Sequence, residues 1–203
     1  MFVPLFHVEH SYNKDIVSDS AYNKLKHFVS LITRWNTATG LVASCVDIWQ
    51  RHIDDSVQLL PYIEGKHVLD VGSGGGFPGM VLAILNPQRE WHLVESNTRK
   101  AMFLQEVRRQ LEVPCVVHHQ RVETLEGSFD TITARAFAPL PSLMEILFAK
   151  LTPNGRGVLV KGKKLSQEIT EANKKWRFTR ALFQSRTHID GRIVVIQDVK
   201  RCL

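Results

Sequence analysis

Between Val68 and Gly79 the chain reads Val-Leu-Asp-Val-Gly-Ser-Gly-Gly-Gly-Phe-Pro-Gly, a strand running directly into a turn nearly devoid of side chains. Val68, Leu69 and Val71 suit a strand covered on both faces, as in a parallel sheet flanked by helices. Gly72, Gly74, Gly75 and Gly76 admit backbone angles and close contacts that a Cβ would forbid. Asp70 stands near the carboxyl end of that strand, where open α/β sheets bind ligands. The stretch therefore points to an α/β fold whose first strand delivers a backbone that a ligand can approach. A tight turn with no ligand is the plain alternative.

Glycine-rich turns after a first strand serve several cofactors, and the spacing discriminates among them. A dinucleotide fingerprint wants a small residue at its sixth position so that helix and strand can pack closely, and Phe77 occupies that place. The pattern Asp70, Gly72, Gly74, Gly76 instead resembles motif I of the class I S-adenosylmethionine-dependent methyltransferases, whose ligand carries a sulfonium and no phosphate.

Downstream, strands and helices alternate as a doubly wound sheet requires. Met80 to Leu85 begin a helix that stops near Asn86-Pro87, and Trp91 to Val94 form a second strand ending at Glu95. An acidic residue there, about 20 residues past the glycines, can accept both hydroxyls of an adenosine ribose. Thr98 to Leu111 read as a helix with Ala101, Phe103, Leu104, Val107 and Leu111 on one face. Cys115 to Val117 make a third strand, followed by Arg121-Val122-Glu123. Phe129 to Thr133 make a fourth that empties into Arg135-Ala-Phe-Ala-Pro139. Leu143 to Leu151 predict a helix, Asn154-Gly155 a turn, and Gly157 to Lys161 a fifth strand. Arg177–Arg186 and Arg192–Val199 predict a closing antiparallel pair that turns at Asp190-Gly191.

At 203 residues and 44% hydrophobic content the chain can bury a full core without metals or disulfides. It reads as one structural domain, a helical extension over residues 1–66 packed on a core over residues 67–203. No apolar run reaches the roughly 18 residues needed to span a bilayer, and the N-terminus lacks a secretory pattern. A cytoplasmic protein, expected to be a monomer, follows. Cys45, Cys115 and Cys202 are odd in number and scattered, which suits reduced thiols. His7, His10 and His118-His119 give no metal constellation.

The net charge of +6 is unevenly spread. Residues 1–66 carry 6 basic and 7 acidic side chains, residues 67–149 carry 7 and 9, and residues 150–203 carry 13 and 4, a local net charge of +9. Lys161, Lys163, Lys164, Lys174, Lys175, Arg177, Arg180 and Arg186 cluster there, as expected of a surface that neutralises phosphates. A face kept basic for solubility is the competing explanation.

Trp35-Asn36, Arg51-His52 with Asp55-Ser56, Asp70-Val-Gly-Ser-Gly-Gly-Gly-Phe-Pro-Gly79, Arg121-Val-Glu123, Arg135-Ala-Phe-Ala138 and Lys161-Gly162 together resemble the RsmG (GidB) family from about Leu25 to Ile196. That family comprises bacterial 16S ribosomal RNA guanine-N7 methyltransferases. The resemblance implies S-adenosylmethionine as cofactor and a guanine of the 530 loop, position 527 of that RNA, as acceptor. It implies 16S ribosomal RNA or the small subunit as partner. Two stretches depart from the family: Gly40-Leu41-Val42 stands where Asn-Leu-Thr is usual, and Gln197-Asp198 replaces a basic ending of the last strand.

By the same resemblance, Asp70, Gly72, Gly74, Gly76 and Phe77 line the cofactor, Glu95 holds the ribose, Val122 and Glu123 meet the adenine, and Arg135 stands between cofactor and substrate. Arg51, His52, Phe137, Lys161, Lys163 and Lys164 become candidates for the RNA side together with Arg135. On one helix Arg51, His52 and Asp55 share a face, for which spacing alone favours an intrahelical ion pair beside an ordinary histidine. Phe137 could stack on the target base. Guanine N7 has an outward lone pair, so no general base is called for, and positioning carries the reaction. A methyltransferase for small molecules or proteins, and a non-catalytic RNA- or nucleotide-binding protein, are the alternatives.

Overall fold

The computed structural model describes residues 17–202 and places a seven-stranded sheet at the centre of the molecule. His7 and His10 lie outside the described residues. The strands are β1 (His67–Val71), β2 (Glu90–Val94), β3 (Cys115–His118), β4 (Phe129–Arg135), β5 (Leu151–Lys161), β6 (Trp176–Gln184) and β7 (Arg192–Arg201). Their order is β3-β2-β1-β4-β5-β7-β6, with β7 antiparallel to both neighbours and the other pairs parallel. The order reverses between β1 and β4, so the crevice at their carboxyl ends is where such a sheet takes a ligand.

Among the described residues the α-helices are α1 (Asp19–Thr39), α2 (Asp55–Val57), α3 (Gly79–Leu85), α4 (Thr98–Leu111), α5 (Leu140–Lys150) and α6 (Leu165–Ala172). On one face of the sheet Leu25, Phe28 and Ile32 of α1, Met80 and Leu82 of α3, and Phe103 and Leu104 of α4 form a single cluster with Val68, Trp91 and Leu93. On the other, Leu143, Met144 and Leu147 of α5 and Leu165 and Ile169 of α6 cover Leu69, Val71, Ile132 and Leu159. Each fully buried large apolar side chain contributes about 1.5–3 kcal/mol. The extension before β1 thus shares the core of the sheet.

That docking explains one glycine. A Cβ on Gly76 would lie 2.9 Å from Phe28 Cζ and 2.9 Å from Met80 Cβ, so the bare backbone here admits α1. The departing segment Gly40-Leu41-Val42 abuts the same turn. The Asn36 side chain accepts from the Val42 N–H (2.8 Å), and the Leu41 carbonyl stands 3.0 Å from where a Cβ on Gly75 would be.

The structure corrects several sequence expectations. Asn154-Gly155 is no turn: the register jumps from Phe129↔Leu151 to Thr131↔Arg156, so these residues bulge from a continuous β5 that begins directly after α5. The closing pair turns through a loop over residues 185–191, in which the Gly191 N–H donates to the His188 carbonyl (3.0 Å). Arg186 therefore lies in the loop and not in a strand. Asp198 has a φ of 55° at a register break between β6 and β7, and its side chain accepts from Thr179 Oγ1 (2.9 Å), so the Gln197-Asp198 departure shapes a bulge. Arg51 and His52 lie in a π-helical turn, Trp49–Asp54, and not in a regular α-helix.

Candidate active site

The turn after β1 is tied to β2 before any ligand is considered. The Gly72 and Ser73 N–H groups both donate to the Val94 carbonyl (2.9 and 3.1 Å), which holds the glycine backbone over the end of β2. Between this turn, the end of β2 and the 3-10 turn Val122–Thr124 lies a cleft of about 210 Å³. Gly72, Gly74, Glu95, Val122, Glu123 and Phe137 line it, joined by Val94, Ser96, Lys100, Gln120, Arg121 and Ala136. A larger, shallow depression between α1 and the end of α4, near Lys24 and Gln110, lies away from the strand ends and gathers no comparable set of groups.

Glu95 is the most constrained polar group in the cleft. Its Oε2 accepts from the Gly74 N–H (2.9 Å) and its Oε1 from the Asn97 N–H (2.7 Å), while its own N–H donates to the His118 carbonyl (3.0 Å). A carboxylate has about four lone-pair directions, so two remain for a ligand that donates hydroxyls. The glycine turn thus acts twice, as approachable backbone and as the donor that aims Glu95.

Gly72 has φ +64°, and a Cβ there would lie 2.2 Å from Phe137 Cδ2. The left-handed angle and the ring contact both exclude a larger residue. Phe137 follows Ala136, itself at φ 52°, so the chain leaving β4 kinks to bring the ring, 40% exposed, against the turn.

Other residues expected at the cofactor turn inward. Asp70 is fully buried; its Oδ1 accepts from Thr133 Oγ1 (2.7 Å), and its Oδ2 faces Gly79 at the start of α3 with no well-formed hydrogen bond among the described residues. Burial pushes its carboxyl up to about 6, against the opposing effect of hydrogen bonds from Ser73 and Thr133. Gly76 packs on Phe28, as described above. Phe77 is buried, stacks on His52 (ring centroids 4.8 Å) and meets the Phe28 ring at a tilt (5.4 Å).

At the end of β4, Arg135 is bound into the N-terminal extension. Its guanidinium pairs with Asp55 Oδ2 (2.9 Å), donates to the Arg51 carbonyl (3.2 Å) and to His52 Nδ1 (2.9 Å), and lies over the Phe77 ring (5.1 Å). Because Arg135 has only protons to offer, His52 Nδ1 accepts and its ring proton sits on Nε2. Burial first, then the neighbouring guanidinium, push the imidazole down to about 4, so His52 is neutral near pH 7. The ion pair of Asp55 therefore forms with Arg135, 80 residues away, and not with Arg51, whose side chain is exposed.

Lys161 also differs from its expected role. Its ammonium pairs with Glu168 Oε2 (2.6 Å) and donates to the Ala138 carbonyl (2.8 Å), with the side chain 9% exposed. It pins the loop after β4 to α6 instead of facing solvent. Lys163 is exposed and pairs with Asp190 (3.2 Å), and Lys164 is exposed just before α6. The sequence reading missed Ser96, Lys100, Gln120 and Ala136 in the cleft. Ser96, Gln120 and Ala136 adjoin Glu95, Arg121 and Arg135 in the chain, which was the available signal, while Lys100 reaches the cleft from the first turn of α4.

A fixed carboxylate, a slot bordered by Val122 and Glu123, and an apolar wall at Phe137 suit a nucleoside with a thioether-like tail better than a pyrophosphate. Comparison with known proteins agrees. Residues 21–193 match the family model described as rRNA small subunit methyltransferase G. Proteins named ribosomal RNA small subunit methyltransferase G are 40% identical in Gluconobacter oxydans, covering 91% of this chain and 97% of theirs, and 42% identical in Granulibacter bethesdensis, covering 91% and 89%. Among solved structures, a TehB-like SAM-dependent methyltransferase from Corynebacterium glutamicum aligns with a TM-score of 0.55 at 13% identity, covering 85% of this chain and 98% of its own. Aeropyrum pernix fibrillarin, solved with natively bound S-adenosyl-L-methionine, aligns with a TM-score of 0.54 at 15% identity over 68% of each chain. The fold is that of the class I methyltransferases.

Proposed function

The chain belongs to the rRNA small subunit methyltransferase G family, and from that premise we propose that it methylates N7 of one guanine in the 530 loop of 16S ribosomal RNA. At the coarser level it is an S-adenosylmethionine-dependent methyltransferase of small-subunit ribosomal RNA. The reaction belongs in the cytoplasm, where small subunits assemble.

The observation that carries the reading is Glu95, held between the Gly74 and Asn97 N–H groups at the rim of the cleft. A carboxylate so placed repels a pyrophosphate and accepts from the two hydroxyls of a ribose. Val122 and Glu123 would meet the adenine, and Gly72 with Phe137 would border the methionine end. When bound, S-adenosylmethionine supplies an electrophilic methyl group on a sulfonium. The chain's own residues have a simpler task. Guanine N7 presents its lone pair in the ring plane, so no proton has to be removed and positioning supplies most of the acceleration. Positive charge appears on the purine as the bond forms, and carbonyl oxygens near the β4 exit would offset it. Arg135 holds that exit in place through Asp55 and His52.

The test incubates the full chain with methyl-labelled S-adenosylmethionine and either protein-free 16S RNA or small subunits lacking the modification. Label in RNA, recovered as 7-methylguanosine after digestion, is expected. Label in protein, or none, refutes the reading.

A further inference from the structure

The loop over residues 185–191 lies at the same end of the sheet as the cleft, because Arg192 at its exit pairs with Lys161 at the end of β5. A buried polar cluster holds it from beneath. Gln58 Oε1 accepts from the Arg186 N–H (2.8 Å), Gln58 Nε2 donates to Asp55 Oδ1 (2.8 Å), and Thr187 Oγ1 donates to the same oxygen (2.6 Å). Asp55, Gln58 and Ser185 are all buried. From above, the Ile189 carbonyl accepts from Gln184 Nε2 (2.9 Å) and Arg192 (3.2 Å). Asp55 also binds Arg135, so one carboxylate joins this loop to the β4 exit.

On that fixed base Ile189 is 85% exposed, while Leu182 and Phe183 on β6 are 48% and 39% exposed. A single exposed aliphatic residue is ordinary on a protein surface. Its setting here is not: it sits at the tip of a pinned loop, beside the exposed Arg186 and His188, with Lys163 tied to Asp190 and Lys164 nearby in sequence. Proteins that grip nucleic acid combine these parts, cations on phosphates and an apolar side chain against a base. The loop's order is already present in the free chain, so docking costs little conformational entropy.

We propose that the loop over residues 185–191 is an RNA-recognition element of the acceptor site, in which Ile189 packs on an unstacked base and Arg186 and Lys164 meet phosphates. This rests on the reading of the acceptor as ribosomal RNA. The test compares full-length Ile189→Ala, Ile189→Asp and Arg186→Ala proteins with the unaltered one. It measures donor binding by calorimetry, the melting temperature, and methylation across RNA and salt concentrations. Expected are unaltered donor Kd and Tm. The KM for RNA should rise about five-fold in Ile189→Ala and more than ten-fold in Ile189→Asp, and a shallower salt dependence should appear in Arg186→Ala. An unaltered KM in Ile189→Asp overturns the proposal, and so does a loss of donor affinity or Tm in Ile189→Ala, which would make the residue structural. Failure of the unaltered protein to methylate RNA refutes the underlying reading, and this proposal with it.

Discussion

Replacing Asp55 with alanine removes a carboxylate that joins the N-terminal extension, the β4 exit and the loop over residues 185–191. Its side chain is 11% exposed and accepts from Arg135 (2.9 Å), Thr187 (2.6 Å) and Gln58 (2.8 Å). Breaking a buried ion pair from one side costs about 3–5 kcal/mol. Arg135 keeps its bonds to the Arg51 carbonyl and His52 and is 15% exposed to water, which lowers that share to about 2–3 kcal/mol. The Thr187 hydroxyl and Gln58 amide can bond each other and Ser185, so their loss adds only about 1 kcal/mol. A total of about 3–4 kcal/mol lowers Tm by roughly 6–16 °C in a domain of this size. Asp55→Asn, which keeps an oxygen for Thr187 and Gln58, should cost about half as much. A double-mutant cycle with Arg135→Met should give about 2 kcal/mol of coupling by chemical denaturation. A Tm within about 3 °C of the unaltered protein, or coupling below about 0.5 kcal/mol, would refute the reasoning.

Three further predictions test other parts. Gly72→Ala should cost about 1–2 kcal/mol for the left-handed backbone and weaken donor binding by calorimetry. In a Phe137→Ala background the ring clash disappears and only the backbone cost should remain. Glu95→Gln should weaken donor binding about ten- to hundred-fold, the range of a lost charge-assisted hydrogen bond, and lower Tm by about 2–6 °C, because an amide cannot accept from both the Gly74 and the Asn97 N–H through two oxygens. Unfolding between pH 4 and 6.5 should show opposite slopes from two groups. The folded-state pKa of His52 is depressed to about 4, so its contribution is present above about pH 6.5 and lost as pH falls. That of Asp70 is raised to about 6, so its penalty grows as pH rises from about 4 to 6. His52→Gln should therefore flatten the acid loss of stability, and Asp70→Asn should steepen it.

The parts of this architecture that local pattern encodes were legible in the sequence. The apolar run of β1 into its glycines, the stripe of α4 and the acidic end of β2 each depend on neighbours within a turn or a strand. Side-chain partners were not legible, because they are chosen by the fold: Asp55 finds Arg135, Lys161 finds Glu168 across the β5–α6 loop, and Phe77 finds His52. Helix α6 is within reach of local pattern, since Leu165, Ile169 and Ala172 recur at helical spacing, but the flanking pairs Lys163-Lys164 and Lys174-Lys175 give the stretch the look of a continuous basic surface. The cleft itself was half legible. Gly72, Gly74, Glu95, Val122 and Glu123 line it, while the inward roles of Asp70 and Gly76 follow from helix docking behind the turn, which no local pattern reveals.

The most direct test of the account is the site of the methyl group. Methylation at N7 gives the purine a positive charge, so borohydride reduction followed by aniline cleaves the RNA at that nucleotide. After incubation of unmodified small subunits with the protein and S-adenosylmethionine, a single new cleavage in the 530 loop is the predicted result. Cleavage elsewhere in 16S RNA, or methylated RNA that resists this cleavage, would contradict it.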